Sequence, residues 1–313
     1  MALRTVSTWV GLVFLAIVFA SGCSTRAGGG SGGSGDDDGP SGVDNPRPGD
    51  APDFVIFSFS GHCFPSSSCG GSDRNPEYLE DRGTQAAIIN TIEFHGYSSL
   101  VLSYADEFYN RAPNGDWLTP SMDGDVEDYG FLQAMWEMPW VRDSWIADFD
   151  NPTRVIVLAH SHGTVWAHSA LFLLPDLPVD ILIDLDGVSL GWESDTWTFG
   201  IGDDWRSIIE SYNDANGITW SYDFWNAADN WVVPGLPPQD VEDIAPDSAW
   251  LDIEVLARST LSMPNDDFSN HRLDGSTASI WSYQSVEDHA GVDDPDSDAM
   301  LWVAAQLDDL YTW

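Results

Sequence analysis

Ala159-His160-Ser161-His162-Gly163 stands between two segments that decide how it is read. Before it runs Arg154-Val-Ile-Val-Leu158, a short β-branched apolar run of the kind that forms a buried parallel strand. After it, Thr164 to Leu174 is an apolar stretch of helical length, stopped by Pro175. A serine on the tight turn between such a strand and helix is held out at the carboxyl edge of a sheet. Its neighbours two positions away on either side must be small for strand and helix to approach, and here they are Ala159 and Gly163. A serine that merely caps the helix is the plain alternative.

Outward from this stretch, strands and helices alternate. Asp53 to Ser60 predicts a buried strand ending at Gly61-His62, and Pro76 to His95 a helix stopped by Gly96. Ser99 to Tyr104 is a second strand, 105–128 a polar Asp-rich loop, and Tyr129 to Phe149 a Trp- and Met-rich helix broken at Pro139. Val179 to Asp186, Ile218 to Trp225 and Ala278 to Tyr283 complete the strands, and Asp298 to Tyr311 closes the chain as a helix. The expected fold class is α/β, a doubly wound, mostly parallel sheet covered on both faces.

Strand, turn with a central serine, then helix resembles the nucleophile elbow of the α/β-hydrolases. Ala159 replaces the usual first glycine, as in small lidless bacterial lipases. The resemblance runs over residues 53–313 and implies a chain order of serine, acid, then histidine. Ser161 is then the nucleophile. His289, after the last strand, is the base, and His271 a weaker candidate. For the acid, Asn226-Ala-Ala-Asp229-Asn-Trp-Val-Val-Pro234 resembles the family's turn after its last-but-one strand, which favours Asp229. Asp186, at a strand end, is the alternative. The backbone amides of His162 and His62 are the expected oxyanion donors. His62, His160 and His162 are otherwise read as polar rim residues, since their spacing makes a poor metal site. The resemblance implies an acyl-enzyme route on carboxylic esters, with no cofactor and no metal.

Residues 1–22 carry Arg4 and an apolar core too short to span a bilayer comfortably, which reads as a signal peptide. Ala20-Ser21-Gly22-Cys23 resembles the lipobox of bacterial lipoproteins, which implies lipidation at Cys23. Ser24 is not the Asp of inner-membrane retention, so an outer-membrane or surface location is expected. Residues 23–52, rich in Gly, Ser and Asp, read as a flexible linker before a single domain at 53–313. With Cys23 taken by lipid, Cys63 and Cys69 are expected to form a disulfide outside the cytoplasm, worth roughly 2 kcal/mol.

The chain has 51 acidic residues against 11 basic ones, none of them lysine, for a formal net charge of −40. Such a surface repels phosphate backbones, which removes nucleic acid as a partner and leaves a small-molecule or lipid ester as the expected one. The acid clusters at 123–128 and 293–298 fit no EF-hand loop and are read as solvated turns. Sixteen Trp residues, several flanking the elbow in sequence, are read either as an acyl pocket or as ordinary core. The readings in competition with an esterase are a non-catalytic surface lipoprotein that binds glycans or apolar ligands, and a serine amidase or peptidase.

Overall fold

The computed structural model describes residues 45–61, 78–107, 110–112, 117–118, 126, 128–187, 223–226, 230–232, 244–258, 269–272 and 276–311. Six strands form one sheet: β1 (Phe54–Phe59), β2 (Ser99–Tyr104), β3 (Arg154–His160), β4 (Val179–Leu185), β5 (Ala249–Leu256) and β6 (Ile280–Gln284). Their order is β6-β5-β4-β3-β1-β2, and every neighbouring pair is parallel. This is a doubly wound parallel sheet of the α/β class expected from the sequence. Among the described residues no helix is long and apolar enough to cross a membrane.

Parallel strands need helical crossovers, so helices cover both faces. On one face α3 (Phe131–Val141) and α4 (Gly163–Leu173) pack Phe131, Met138, Val165 and Trp166 against Val155, Val157 and Leu182. On the other, α1 (Tyr78–Asp81), α2 (Thr84–Phe94) and α5 (Asp298–Leu310) pack Leu79, Ile88, Val303 and Leu307 against Ile156, Ile183 and Ile253. Alternate residues of one strand thus feed two cores, which is why β3 is buried at every position after Arg154.

Several elements depart from the sequence reading. The helix expected over 76–95 is two, divided at Gly83, whose φ of 86° lies in the left-handed region that glycine adopts freely. Helix α3 runs through Pro139 and then widens to a π-helical turn over Arg142–Ile146. Of the strand expected over 218–225, the described part, 223–225, is not in the sheet. Asp223–Asn226 pairs antiparallel with Asn230–Val232 as a separate ladder. The place beside β4 is taken by Ala249–Leu256, where Asp252 and Glu254 interrupt the apolar run yet are buried. Two buried acids in alternation imitate a solvent face, and that masked the strand.

Candidate functional site

Register places the site. Phe59 lies opposite Ala159, His160 opposite Leu185, and Leu185 opposite Val255. The residues that leave these strands therefore emerge together at one carboxyl edge: Gly61, Ser161, Asp186 and Ala257. Sheets of this kind bind ligands at that edge.

Ser161 follows β3 directly and has φ 55°, a left-handed backbone for a residue with a side chain. Its amide donates to the Leu185 carbonyl at 3.1 Å, and α4 begins two residues later. Close approach is enforced by glycine on both sides. A Cβ at Gly163 would lie 2.3 Å from the Phe59 carbonyl oxygen, and one at Gly61 would lie 2.5 Å from Ser161 Cβ. Neither position admits a side chain.

His289 comes from the turn between β6 and α5. Its Nε2 is 2.8 Å from Ser161 Oγ, and its Nδ1 is 2.5 Å from Asp186 Oδ2. The second oxygen, Asp186 Oδ1, accepts from the Ala257 amide at 2.8 Å, just past the end of β5. Asp186 is fully buried and itself left-handed, with φ 47°. A carboxylate fixed on Nδ1 holds the proton there and leaves the Nε2 lone pair facing the serine hydroxyl.

The ring nitrogen that the sequence reading assigned to Asp229 is therefore occupied by Asp186, its alternative. Asp229 lies outside the described residues. The reason is topological. Because β5 is Ala249–Leu256, the position after it is held by Ala257, which has no carboxylate and offers its amide to Asp186 instead. His62, Cys23, Cys63 and Cys69 also fall outside the described residues, as does the side chain of His271.

The two histidines flanking Ser161 are not rim residues. His160 is buried, with its ring stacked on that of His289 at 5.0 Å and on Tyr78 at 5.8 Å. Burial lowers its pKa, so the neutral ring donates from Nε2 to the His289 carbonyl at 3.1 Å. Asp293, beside it, is paired with Arg82, whose guanidinium also holds the Ala290 carbonyl at 2.6 Å. The turn that carries His289 is thus tied to α1 and to β3.

On the other side, His162 is buried with Nδ1 2.6 Å from Asp106 Oδ1, and Trp166 Nε1 donates to the same oxygen at 2.5 Å. Asp106, just past β2, pins the first turn of α4 at both points. Sequence reasoning left Asp106 in a loop and Trp166 among undifferentiated aromatics. Asp106 stands 56 and 60 residues from its partners, and no local pattern links them.

A second buried polar group lies behind the site on the α4 face. His168 Nε2 meets Asp184 Oδ2 at 2.7 Å. Near them Asp252 is fully buried, and neither of its carboxylate oxygens has a hydrogen-bond partner among the described residues. Burial pushes its carboxyl up to about 7 against the pull of His168 and Arg272. Of the tryptophans, Trp166 is core, while Trp136 and Trp140 lie partly exposed on α3. Trp192, Trp197 and Trp205 lie outside the described residues.

No protein-family model matches the chain, and no curated protein resembles it in sequence. Solved structures do resemble it in chain path. The esterase Pf2001 of Pyrococcus furiosus is 9% identical with a TM-score of 0.44, over 82% of this chain and 80% of its own. Carboxyl esterase 2 of Tuber melanosporum is 15% identical with a TM-score of 0.42, over 81% and 75%. Est1E of Butyrivibrio proteoclasticus, solved with ferulic acid bound, is 15% identical with a TM-score of 0.40, over 86% and 92%. These likenesses concern the path of the chain, and the chemistry of the site rests on its own geometry.

Proposed function

We propose that the protein is a serine hydrolase of carboxylic esters, with Ser161 as nucleophile, His289 as base and Asp186 as the carboxylate that orients it. The observation that carries this reading is the continuous chain from Asp186 Oδ2 through both ring nitrogens of His289 to Ser161 Oγ. A serine hydroxyl is a weak nucleophile at neutral pH, and a base within hydrogen-bond reach removes that limit.

In the proposed reaction His289 Nε2 takes the Ser161 proton as Oγ bonds to the ester carbonyl carbon. The carbonyl oxygen becomes an oxyanion, for which the amides of His162 and His62 are the proposed donors. The same proton then passes from Nε2 to the departing alkoxide, which leaves as the alcohol. Water repeats the sequence on the acyl-serine, releasing the acid and restoring the hydroxyl. Throughout, Asp186 stays ionised beside a transient imidazolium.

We further propose that the chain is exported and held at the cell envelope by lipid on Cys23, with Cys63 and Cys69 joined. The motif at Ala20–Cys23 supports the anchor, and the oxidising compartment it implies supports the bridge.

Labelling with a fluorophosphonate probe tests the chemistry. The wild type should label and hydrolyse p-nitrophenyl esters, and Ser161→Ala should do neither, with turnover lower by about a million-fold. Activity within tenfold of wild type in that variant would remove the proposal. Cleavage of amides in preference to esters of equal acyl length would move it to the amidase class.

A further inference from the structure

At the end of the sheet opposite Ser161 lies a cavity of about 820 Å³, the size of a small-molecule site. Its floor is made by the first residues of four adjacent strands, Phe54, Arg154, Val179 and Ala249. A six-residue strand separates this edge from the catalytic one by about 20 Å. Nothing in the proposed ester chemistry uses it.

The composition of its walls is unlike that of the chain. Three of the eleven basic residues, Arg47, Arg154 and Arg272, line this one cavity. Arg47 pairs with Asp53. Arg272 is spent on main chain, with Nη1 donating to the Asp247 carbonyl at 2.8 Å. Arg154 is exposed, lies 4.7 Å over the ring of Tyr311, and has no carboxylate within ion-pair distance among the described residues. Asp53, Asp150, Asp180 and Asp247 share the walls, so four carboxylates stand against three guanidinium groups and the charges nearly cancel. A cation meets Arg154, and an anion meets the aspartates. The site selects against both.

What such walls fit is a neutral, polyhydroxylated ligand. Carboxylates and guanidinium groups each offer adjacent acceptors or donors in a plane, which match pairs of neighbouring hydroxyls. Sugar rings also carry an apolar C–H face that stacks on aromatic rings. Trp250 stands in the wall 66% exposed, an apolar face left to water, while Tyr97 packs edge-on against Phe54 and is 37% exposed. Ligand pockets are commonly lined by aromatic rings, whose apolar body and polar tip suit them to a surface that is part apolar and part wet. We propose that this amino-edge cavity is a binding site for a short neutral oligosaccharide, stacked on Trp250 and held by Arg154 and the flanking carboxylates.

Titration of the full chain with cellotriose, maltotriose and chitotriose, followed by tryptophan fluorescence and calorimetry, tests this. At least one should bind saturably with Kd on the order of 1 mM. Trp250→Ala and Arg154→Ala should each weaken it tenfold or more without changing p-nitrophenyl ester turnover, and Ser161→Ala should bind as the wild type does. No saturable binding of any of the three up to about 20 mM would overturn the proposal. So would binding that both cavity variants leave intact, or binding lost in Ser161→Ala, since either places the sugar elsewhere. Failure of the ester chemistry would show separately, as absent probe labelling with sugar binding unaffected.

Discussion

Asp186→Asn should lower kcat/KM for p-nitrophenyl esters by about four orders of magnitude while leaving the protein folded. The size follows from how the side chain is held. Asp186 Oδ1 accepts from the Ala257 amide, so an Asn must keep its carbonyl oxygen there and turn its NH₂ toward His289 Nδ1. An NH₂ can only donate, so the ring must present its Nδ1 lone pair to it. The ring proton then sits on Nε2, pointing at Ser161 Oγ, and the base has no lone pair where it is needed. A loss of ten-thousandfold is about 5.4 kcal/mol in transition-state stabilisation. The backbone tolerates the change, because φ at 186 is 47° and asparagine enters that region more readily than most residues. Initial-rate kinetics with a parallel thermal melt is the assay. Retention of more than a tenth of wild-type activity would refute the tautomer argument. So would a larger loss in Asp229→Asn than in Asp186→Asn, which would return the acid's role to the other residue.

Asp252→Asn should stabilise the protein at pH 8 and make no difference near pH 4. The carboxyl rises from 3.8 to about 7 on folding, so the folded state binds the extra proton and wild-type stability falls as pH climbs between those values. About three units correspond to about 4 kcal/mol, read as a gap between urea-unfolding free energies that opens across that window; a gap of constant size would contradict the assignment. Gly163→Ala should cost about 3 kcal/mol or prevent folding, since its Cβ would meet β1 backbone rather than a movable side chain. A melting temperature within 2 °C of wild type, roughly half a kcal/mol, would contradict that close approach. At a formal charge of −40, the melting temperature should rise from low to molar NaCl as self-repulsion is screened, and a flat or falling midpoint would count against it.

The parts of the site legible in the sequence are those whose geometry is made by neighbours in the chain. Ser161 is one, because the apolar strand, the small residues and the apolar helix all lie within ten positions of it. His289 followed from chain order and from there being only two histidines beyond α4. The acid could not be read in that way. Its identity depends on which segment fills the place beside β4, and β5 conceals itself by burying Asp252 and Glu254. Those acids are polar by composition and internal by position, which periodicity cannot separate. The pairing of Asp106 with His162, and of His160 with the His289 main chain, depends on contacts 56 and 129 residues apart in sequence. Residue type names the groups able to make such bonds, and only the fold says which of them meet.

Two of the three non-glycine residues with positive φ among those described are Ser161 and Asp186. A left-handed backbone costs a residue with a Cβ roughly 1–2 kcal/mol, while glycine's added freedom when unfolded costs about 0.5–1 kcal/mol. At position 161 the balance therefore tips toward glycine, which has no hydroxyl with which to perform the proposed attack on a carbonyl. Folding and reactivity pull this position in opposite directions. Selection of variants for thermal tolerance alone would tend to erode the serine proposed as nucleophile, so any scheme to harden this protein must screen for turnover in the same round.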